Sequence, residues 1–261
     1  MAQPRRIPLR SPSLAVLFLL TTAMSASAAT PAARQLSPDL TVQELAPGVW
    51  LHTSWANVPG FGRVAANGLV VASGGEAAVL NTPWNDALTA RLMNWMASSL
   101  AVRKTTVIPT HAHGDNLGGL AEAHRRGASS LALDATRERA RKDGKPVPLQ
   151  GFAGLTTLRV GSRTLELRFP GGGHTPDNIV AWLPDVGLLF GGCLVKSSSA
   201  TDLGNTREAV LDDWPVTIRR VMDLYPAARL VVPGHGDPGG PELLLHTLDL
   251  LRSAARPPDV K

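Results

Sequence analysis

The chain has 261 residues, of which 44% are hydrophobic and 18% are charged, with seven histidines and a single cysteine. This composition excludes a fully disordered chain, because there is enough apolar surface to offset the entropic cost of ordering. No apolar run reaches the roughly 18–20 residues of a membrane span, and no basic cluster favours a nucleic-acid partner. The sequence therefore predicts a soluble globular protein of one large domain or two small ones.

The first 28 residues have the pattern of a secretory signal. Three arginines precede the apolar core Leu14–Leu20, and Ala26-Ser27-Ala28 supplies an A-x-A cleavage site. Removing those three arginines from the formal charge of +5 leaves +2 for the rest of the chain. We predict a signal peptide over 1–28, a single domain over 29–261, and a periplasmic monomer with no membrane anchor after cleavage. Arg5-Arg6 leaves a twin-arginine export route open as the alternative to general secretion.

The first half of the mature chain alternates strands and helices. Strands are predicted at Thr41–Leu45, Val49–Thr53, Gly68–Ala72, Ala77–Leu80, Thr105–Ile108 and Leu131–Leu133, and helices after Thr82, over Leu117–Arg126 and from Asp134 to Lys142. Thr82 is expected to cap the first helix, with Pro83 at its first position, and Asp134 to cap the third. Trp55–Ala66 is predicted to be a hairpin with an apolar tip. The alternative is that Trp55 and Phe61 pack into the core.

The second half repeats this alternation after a proline-containing linker at Gly144–Gly151. Strands are predicted at Leu155–Val160, Thr164–Phe169, Ile179–Leu183, Gly187–Phe190 and Leu230–Val232, and helices at Trp214–Leu224 and Pro241–Ser253. Mixed strands and helices in both halves favour an α/β fold of two packed sheets with helices outside.

Four histidines, one aspartate and the cysteine lie in glycine-containing loops that follow predicted strands. The loops read HAHGD over 111–115, GGGHTPDN over 171–178, GGCLVK over 191–196 and PGHG over 233–236. Residues i and i+2 of an extended segment point the same way, so His111 and His113 can share a metal. Imidazole, thiolate and carboxylate together suit zinc. The six candidate ligands are enough for two zinc ions with open positions for water: His111, His113, Asp115, His174, Cys193 and His235.

Other readings of these residue types remain open for single residues. Cys193 cannot form an internal disulfide, and taken alone it could be a small buried core residue. His52, His124 and His246 lie outside the glycine-containing loops and are interpreted as structural histidines.

The motifs HxHxD, GGGHTPDN, GGCLVK and PGHG, in this order, resemble those of class B metallo-β-lactamases of the cysteine-containing di-zinc subclass. The resemblance covers about residues 50–246, and Pro59-Gly60-Phe61-Gly62 resembles the New Delhi-type branch. It implies an αββα sandwich with one zinc on His111, His113 and His174 and the other on Asp115, Cys193 and His235. Asn116 departs from the HxHxDH pattern of related thioesterases and lactonases. Asn81 replaces a supporting aspartate common in the family, which puts zinc affinity in question.

The resemblance further implies hydrolysis of the β-lactam ring of penicillins, cephalosporins and carbapenems by a metal-bound hydroxide, conferring antibiotic resistance. Asp115 would orient the nucleophile, Lys196 would pair with the substrate carboxylate, and Asn205 would donate a hydrogen bond to the oxyanion. Trp55 and Phe61 of the hairpin would contact the substrate. The alternatives are an exposed, solvated Lys196 and a turn role for Asn205.

Two other functions fit the same ligand set. One is a related zinc hydrolase that acts on lactones or thioesters, against which Lys196 and the pair Asn116/Cys193 argue. The other is a periplasmic zinc-binding protein without catalytic activity, which would take up zinc tightly and turn nothing over.

Overall fold

The computed structural model describes Met1 and residues 32–255. Apart from Met1, the predicted signal peptide over 1–28 lies outside the described residues. Within the described range, the helices are too short or too polar to cross a lipid bilayer.

The first sheet of the described chain has eight strands arranged in chain order. They are Arg34–Ser37 (β1), Leu40–Ala46 (β2), Val49–Val58 (β3), Gly62–Ser73 (β4), Glu76–Leu80 (β5), Lys104–Ile108 (β6), Ser129–Leu133 (β7) and Gln150–Phe152 (β8). Neighbours from β1 to β5 are antiparallel, and those from β5 to β8 are parallel. Strands β3 and β4 pair from Val49↔Val71 to Val58↔Gly62, which forms the predicted hairpin. Strand β8 includes the last two residues of the predicted linker, Gln150 and Gly151.

The second sheet has five strands in the described range. They are Leu155–Val160 (β9), Arg163–Arg168 (β10), Val180–Leu183 (β11), Leu188–Gly192 (β12) and Leu230–Pro233 (β13), in the spatial order β13-β12-β11-β10-β9. Strands β12 and β13 run parallel, so their carboxyl ends lie at the same edge of the sheet.

Six helices cover the outer faces of the two sheets in the described range. They are Asp86–Ser99 (α1), Gly114–Leu117 (α2), Leu120–Arg125 (α3), Asp134–Lys142 (α4), Trp214–Leu224 (α5) and Glu242–Ala254 (α6). Helix α5 has the predicted bounds, because Pro215 stands in its first turn and its buried face repeats at helical spacing. Asp134 is the first residue of α4 and not its cap, which is Leu133.

Two predictions about the first helices are wrong. The N-cap of α1 is Asn85, whose side chain accepts a hydrogen bond from Leu88 N, and not Thr82. Thr82 bonds instead to the segment around α2, donating to Asn116 O and accepting from Gly119 N. The predicted helix Leu117–Arg126 is broken at Gly118, where a Cβ would lie 2.1 Å from Trp84 O. The absence of a side chain at Gly118 therefore allows the segment before α1 to pass close to the chain between α2 and α3.

The core consists of three apolar layers, which together give the predicted αββα sandwich. The middle layer lies between the two sheets and includes Leu69, Leu165 and Phe190. A second layer joins the first sheet to α1–α4, and a third joins the second sheet to α5 and α6. Because β6, β12 and β13 each end just before a histidine- or cysteine-containing loop, the sandwich brings these loops to one edge.

Candidate metal centre

The structure brings all six predicted ligands together at this edge. Three overlapping groups each place their ligand atoms within 4.8 Å of one another. These groups are His111, His174 and Cys193; His111, His113 and Asp115; and Asp115, Cys193 and His235. Residues separated by more than a hundred positions in the chain thus share one site.

Three histidine rings form one end of the site. The ring centroids lie 4.6 Å apart for His111 and His113, 5.0 Å for His111 and His174, and 5.3 Å for His113 and His174. Burial, followed by the neighbouring histidines, holds the pKa of His111 and of His174 well below its usual value. These two rings are therefore neutral near pH 7 and keep a nitrogen lone pair for a metal.

The other end of the site combines a carboxylate, a thiol and an imidazole. Sγ of Cys193 lies 3.5 Å from Oδ2 of Asp115 and 3.4 Å from Nε2 of His235. Burial and the nearby Asp115 carboxylate raise the pKa of the Cys193 thiol. A cation bound between these groups would favour the thiolate, which is the form that binds zinc.

Contacts from the first sheet orient His235. Its Nδ1–H donates to Ala65 O over 2.6 Å, which leaves Nε2 facing Asp115 and Cys193. Asn67 holds the same loop, because its side chain donates to Pro233 O and Gly236 O. No local sequence signal marks Asn67, whose partners lie 166 and 169 positions away.

The loop that carries His235 begins with Gly234, and the loop that carries Cys193 comes too close to this position for any larger residue. A Cβ on Gly234 would lie 2.4 Å from Sγ and 2.6 Å from the backbone N of Cys193. Distances below 3.0 Å are incompatible with unshifted packing. The glycine therefore sets how closely the Cys193 and His235 loops can lie.

Asn81 supports the ligand loops from behind. Its Oδ1 accepts from Thr110 N, directly before His111, and its Nδ2 donates to Asn67 O over 3.4 Å. Its backbone has a φ of +59°, a left-handed conformation that asparagine tolerates better than most residues. The side chain thus links the His111 loop to the asparagine that holds the His235 loop.

His113 has a carboxylate partner that the sequence did not reveal. Its Nε2–H donates to Oε2 of Glu208 over 2.6 Å, so its Nδ1 is the nitrogen that faces His111, 3.0 Å from that residue's Nε2. Glu208 also forms an ion pair with Arg139 of α4. Such a partner fixes the tautomer and the orientation of a ligand histidine. Glu208 lies 95 positions from His113, so local spacing could not identify it.

A cavity of about 270 Å³ opens beside the ligand groups. It is lined by the site residues His113, Asp115, His174 and His235, and by Lys196, Asn205 and the apolar side chains Val58, Phe61 and Val64. The site is therefore open to a small molecule from one side, and its opposite wall is the β3–β4 hairpin.

Lys196 is largely buried in the cavity wall. Only 9% of the residue is exposed, and its Nζ lies 5.3 Å from the centroid of the Trp214 ring. Burial lowers the pKa of its ammonium group. The alternative of an exposed, solvated lysine does not hold, because the side chain is buried. Within the described chain, no carboxylate forms an ion pair with this ammonium.

Asn205 and Phe61 both line the cavity, and both are exposed to solvent. Oδ1 of Asn205 accepts from Arg207 N over 3.2 Å, which directs the side-chain amide NH2 away from that turn. Phe61, at the hairpin tip, is 58% exposed.

The structure does not bring Trp55 to the cavity. Strand register pairs Trp55 with Ala65, one position from the pair Ala56↔Val64, so it lies on the outer face of the hairpin. There its ring packs against Arg63, with 5.2 Å between the guanidinium carbon and the ring centroid. This placement corrects the expectation that Trp55 faces a substrate.

The donor set fits a pair of divalent cations of the zinc type. His111 and His174 are buried and neutral, and a thiol and a carboxylate lie in the same groups as the imidazoles. Nitrogen and sulfur ligands combined with one carboxylate favour zinc over magnesium or calcium, which prefer oxygen.

Comparisons with known proteins find relatives that share most of this chain's length. A family model described as the metallo-beta-lactamase superfamily matches residues 101–254. The chain is 43% identical to "Metallo-beta-lactamase type 2" of Bacteroides fragilis, over 83% of this chain and 87% of that protein. It is 41% identical to the protein of the same name from Bacillus cereus, over 82% and 83%. A solved metallo-beta-lactamase from Pontibacter korlensis superposes with a TM-score of 0.79 at 41% identity, over 82% of this chain and 99% of that one.

Proposed function

This chain belongs to the metallo-β-lactamase family, whose members it matches over most of its length, and from that premise we propose that it uses two zinc ions to hydrolyse penicillins, cephalosporins and carbapenems, conferring antibiotic resistance. Its similarity to proteins named metallo-beta-lactamase type 2 supports a metal-dependent hydrolase of β-lactams. The observation that carries the proposal is the meeting of six side chains that can bind a metal beside a cavity that also holds a buried lysine.

We assign the six ligands to two zinc ions. His111, His113 and His174 would hold one ion, and Asp115, Cys193 and His235 the other. The neutral state of the buried histidines and the supporting bonds to His113 and His235 favour this assignment. When bound, zinc supplies a water of lowered pKa and a Lewis acid for a carbonyl oxygen.

Three side chains of the cavity would bind and orient the reactants. Lys196 would pair with the carboxylate that β-lactam antibiotics carry next to the ring nitrogen, because its ammonium is desolvated and forms no ion pair with a carboxylate of residues 32–255. Asp115 would accept a hydrogen bond from the attacking water and direct its oxygen at the carbonyl carbon. The NH2 group of Asn205 would donate to the carbonyl oxygen as charge develops there.

The hairpin would contribute an apolar wall and not a specific contact. Val58, Phe61 and Val64 face the cavity with side chains that exclude water and have no polar atoms to satisfy. Such a wall accepts substituents of different shape at similar cost, which is consistent with several classes of β-lactam. Trp55 has no part in this wall.

We infer that residues 1–28 are removed during export and that residues 29–261 act in the periplasm as a monomer. The A-x-A pattern over 26–28 supports this cleavage position. N-terminal sequencing and gel filtration of the protein from the periplasmic fraction test the inference. A retained N-terminus in that fraction would contradict it.

The proposed activity is tested with purified protein and a carbapenem, with and without zinc. We expect turnover that a chelator abolishes and added zinc restores, with two zinc ions per chain at full activity. Parallel assays with a lactone and a thioester provide the comparison for the related hydrolases. Full activity in excess chelator, or faster turnover of the thioester, would contradict the proposal.

A further inference from the structure

We propose that Arg139 of α4 is a positioning residue for the metal centre. The inference rests on the proposed function, since it concerns zinc held by His113. Arg139 lies outside the cavity lining and contacts no substrate-facing group. Its guanidinium instead joins two carboxylates, and each carboxylate holds a different part of the His111–His113 segment.

The first branch runs to the side chain of His113. Nη2 of Arg139 lies 2.6 Å from Oε2 of Glu208, and the same oxygen accepts from Nε2 of His113 over 2.6 Å. Glu208 belongs to the segment between β12 and α5, which has no regular structure at that position. The ion pair to a helix therefore fixes a carboxylate that its own backbone does not hold rigidly.

The second branch runs to the backbone between the two histidines. Nε of Arg139 lies 3.2 Å from Oδ1 of Asp177, whose side chain is completely buried. Oδ2 of Asp177 accepts from Ala112 N over 3.0 Å. Lys145 holds the other side of this residue by donating to Ala112 O over 2.7 Å. The peptide groups that separate His111 from His113 are thus held from both sides.

A guanidinium suits this position better than an ammonium. Its nitrogens lie in one plane, so Nη2 can bond to Glu208 while the Nε edge stays 3.2 Å from Oδ1 of Asp177. The contact with Asp177 is an ion pair without hydrogen-bond geometry. Only 27% of the Arg139 side chain is exposed, so the pairs are less screened than surface ion pairs. Among the described residues, Arg139 is the cation that forms an ion pair with Asp177, so removal of the guanidinium would leave that buried carboxylate without a counter-ion there. It would also leave Glu208 free to turn away from His113.

The test measures zinc affinity by competition with a chromophoric chelator. The variants are Arg139→Met and Arg139→Lys, with Arg141→Met as the control that removes an exposed arginine two residues along the same helix. We expect Arg139→Met to weaken the binding of zinc by about 10–100-fold, the range typical of changes behind a ligand. The zinc affinity of Arg139→Lys should lie between those of the parent and Arg139→Met, because an ammonium keeps the positive charge but not the planar arrangement of donors. The zinc affinity of Arg141→Met should match that of the parent.

Two further measurements separate positioning from a general role in stability. The thermal midpoint of each zinc-free protein is recorded beside its zinc affinity. An Arg139→Met protein with a lowered midpoint but the parent's zinc affinity would overturn the proposal. The cobalt-substituted proteins provide a spectroscopic signature, since the visible absorption bands of cobalt respond to the geometry of its ligands and should change in Arg139→Met but not in Arg141→Met.

Glu208→Gln completes the design and replaces Arg139→Met if that protein does not fold. The losses from Arg139→Lys and Glu208→Gln should be less than additive in the double variant, because both act through His113. Additive losses, or parent affinity in both single variants, would overturn the proposal. Failure of the proposed function is recognised separately, because the parent protein would then bind no zinc in the same titration, or would bind zinc but not hydrolyse a carbapenem in a parallel assay.

Discussion

Replacing Lys196 by methionine removes a buried ammonium and keeps an unbranched stem against Trp214. In the parent, Nζ lies 5.3 Å from the Trp214 ring centroid. Asp202 and Asp115 act on it through space, but no carboxylate among the described residues forms an ion pair with it. A charge-assisted bond to a substrate carboxylate contributes about 1.5–3 kcal/mol. At about 1.4 kcal/mol per tenfold change, its loss should raise KM by roughly 10–150-fold.

The steady-state constants show where this interaction acts. Because the carboxylate is bound in the ground state and in the transition state alike, kcat should change little. Lys104→Met removes an exposed lysine paired with Glu76 and should leave both constants unchanged. A substrate whose carboxylate is esterified should give the same KM with the parent and with Lys196→Met.

The free energy of unfolding of Lys196→Met is measured as well, because a variant that does not fold would also lose activity. Burial lowers the pKa of Lys196, so the folded state disfavours its charge and the substitution should not reduce the free energy of unfolding. A KM within twofold of the parent in a stably folded Lys196→Met protein would refute the assignment of the carboxylate anchor. A KM change that persists with the esterified substrate would refute it as well.

Three further predictions concern the ligand loops and the core. Cys193→Ser should lower bound zinc and hydrolysis together, because a serine hydroxyl stays protonated where a thiol ionises on zinc; unchanged zinc content by atomic absorption would exclude the thiol as a ligand. Gly234→Ala should cost about 1–3 kcal/mol of stability by overpacking against Cys193, whereas Gly154→Ala, with open space around its Cβ, should cost little in the same urea titration. Burial lowers the pKa of His52 to about 4, so the unfolded chain binds its proton first and stability falls as the pH drops from 6.5 to 4, by up to about 3 kcal/mol. His52→Gln should flatten that pH dependence, and an unchanged slope would contradict the burial argument.

The convergence of the six candidate ligands could be predicted from the sequence because each of them carries a local signature. His111 and His113 are two positions apart, and Cys193 and His235 are flanked by glycines directly after buried strands. Strand ends of one sandwich meet at an edge, so residues that follow several strands are expected to converge there. The structure confirms this convergence.

The supporting residues could not be predicted, because their partners are distant in the chain. Glu208 and Arg139 acquire their roles only when α4 lies beside the segment before α5, and Asn67 only when β4 lies beside the His235 loop. The cap at Thr82 was wrong for a similar reason, since contacts with the α2 segment outweighed the local helix signal. Trp55 is a suitable residue type for an apolar wall, but the strand register places its side chain on the face of the hairpin that points away from the cavity.

The central claim is that six side chains at one sandwich edge hold two zinc ions, and anomalous diffraction at the zinc edge tests it most directly. Crystals of the zinc-loaded protein should show one peak among His111, His113 and His174 and a second among Asp115, Cys193 and His235. Zinc peaks elsewhere in the molecule, or no zinc peak among these six side chains in crystals of active protein, would contradict this claim.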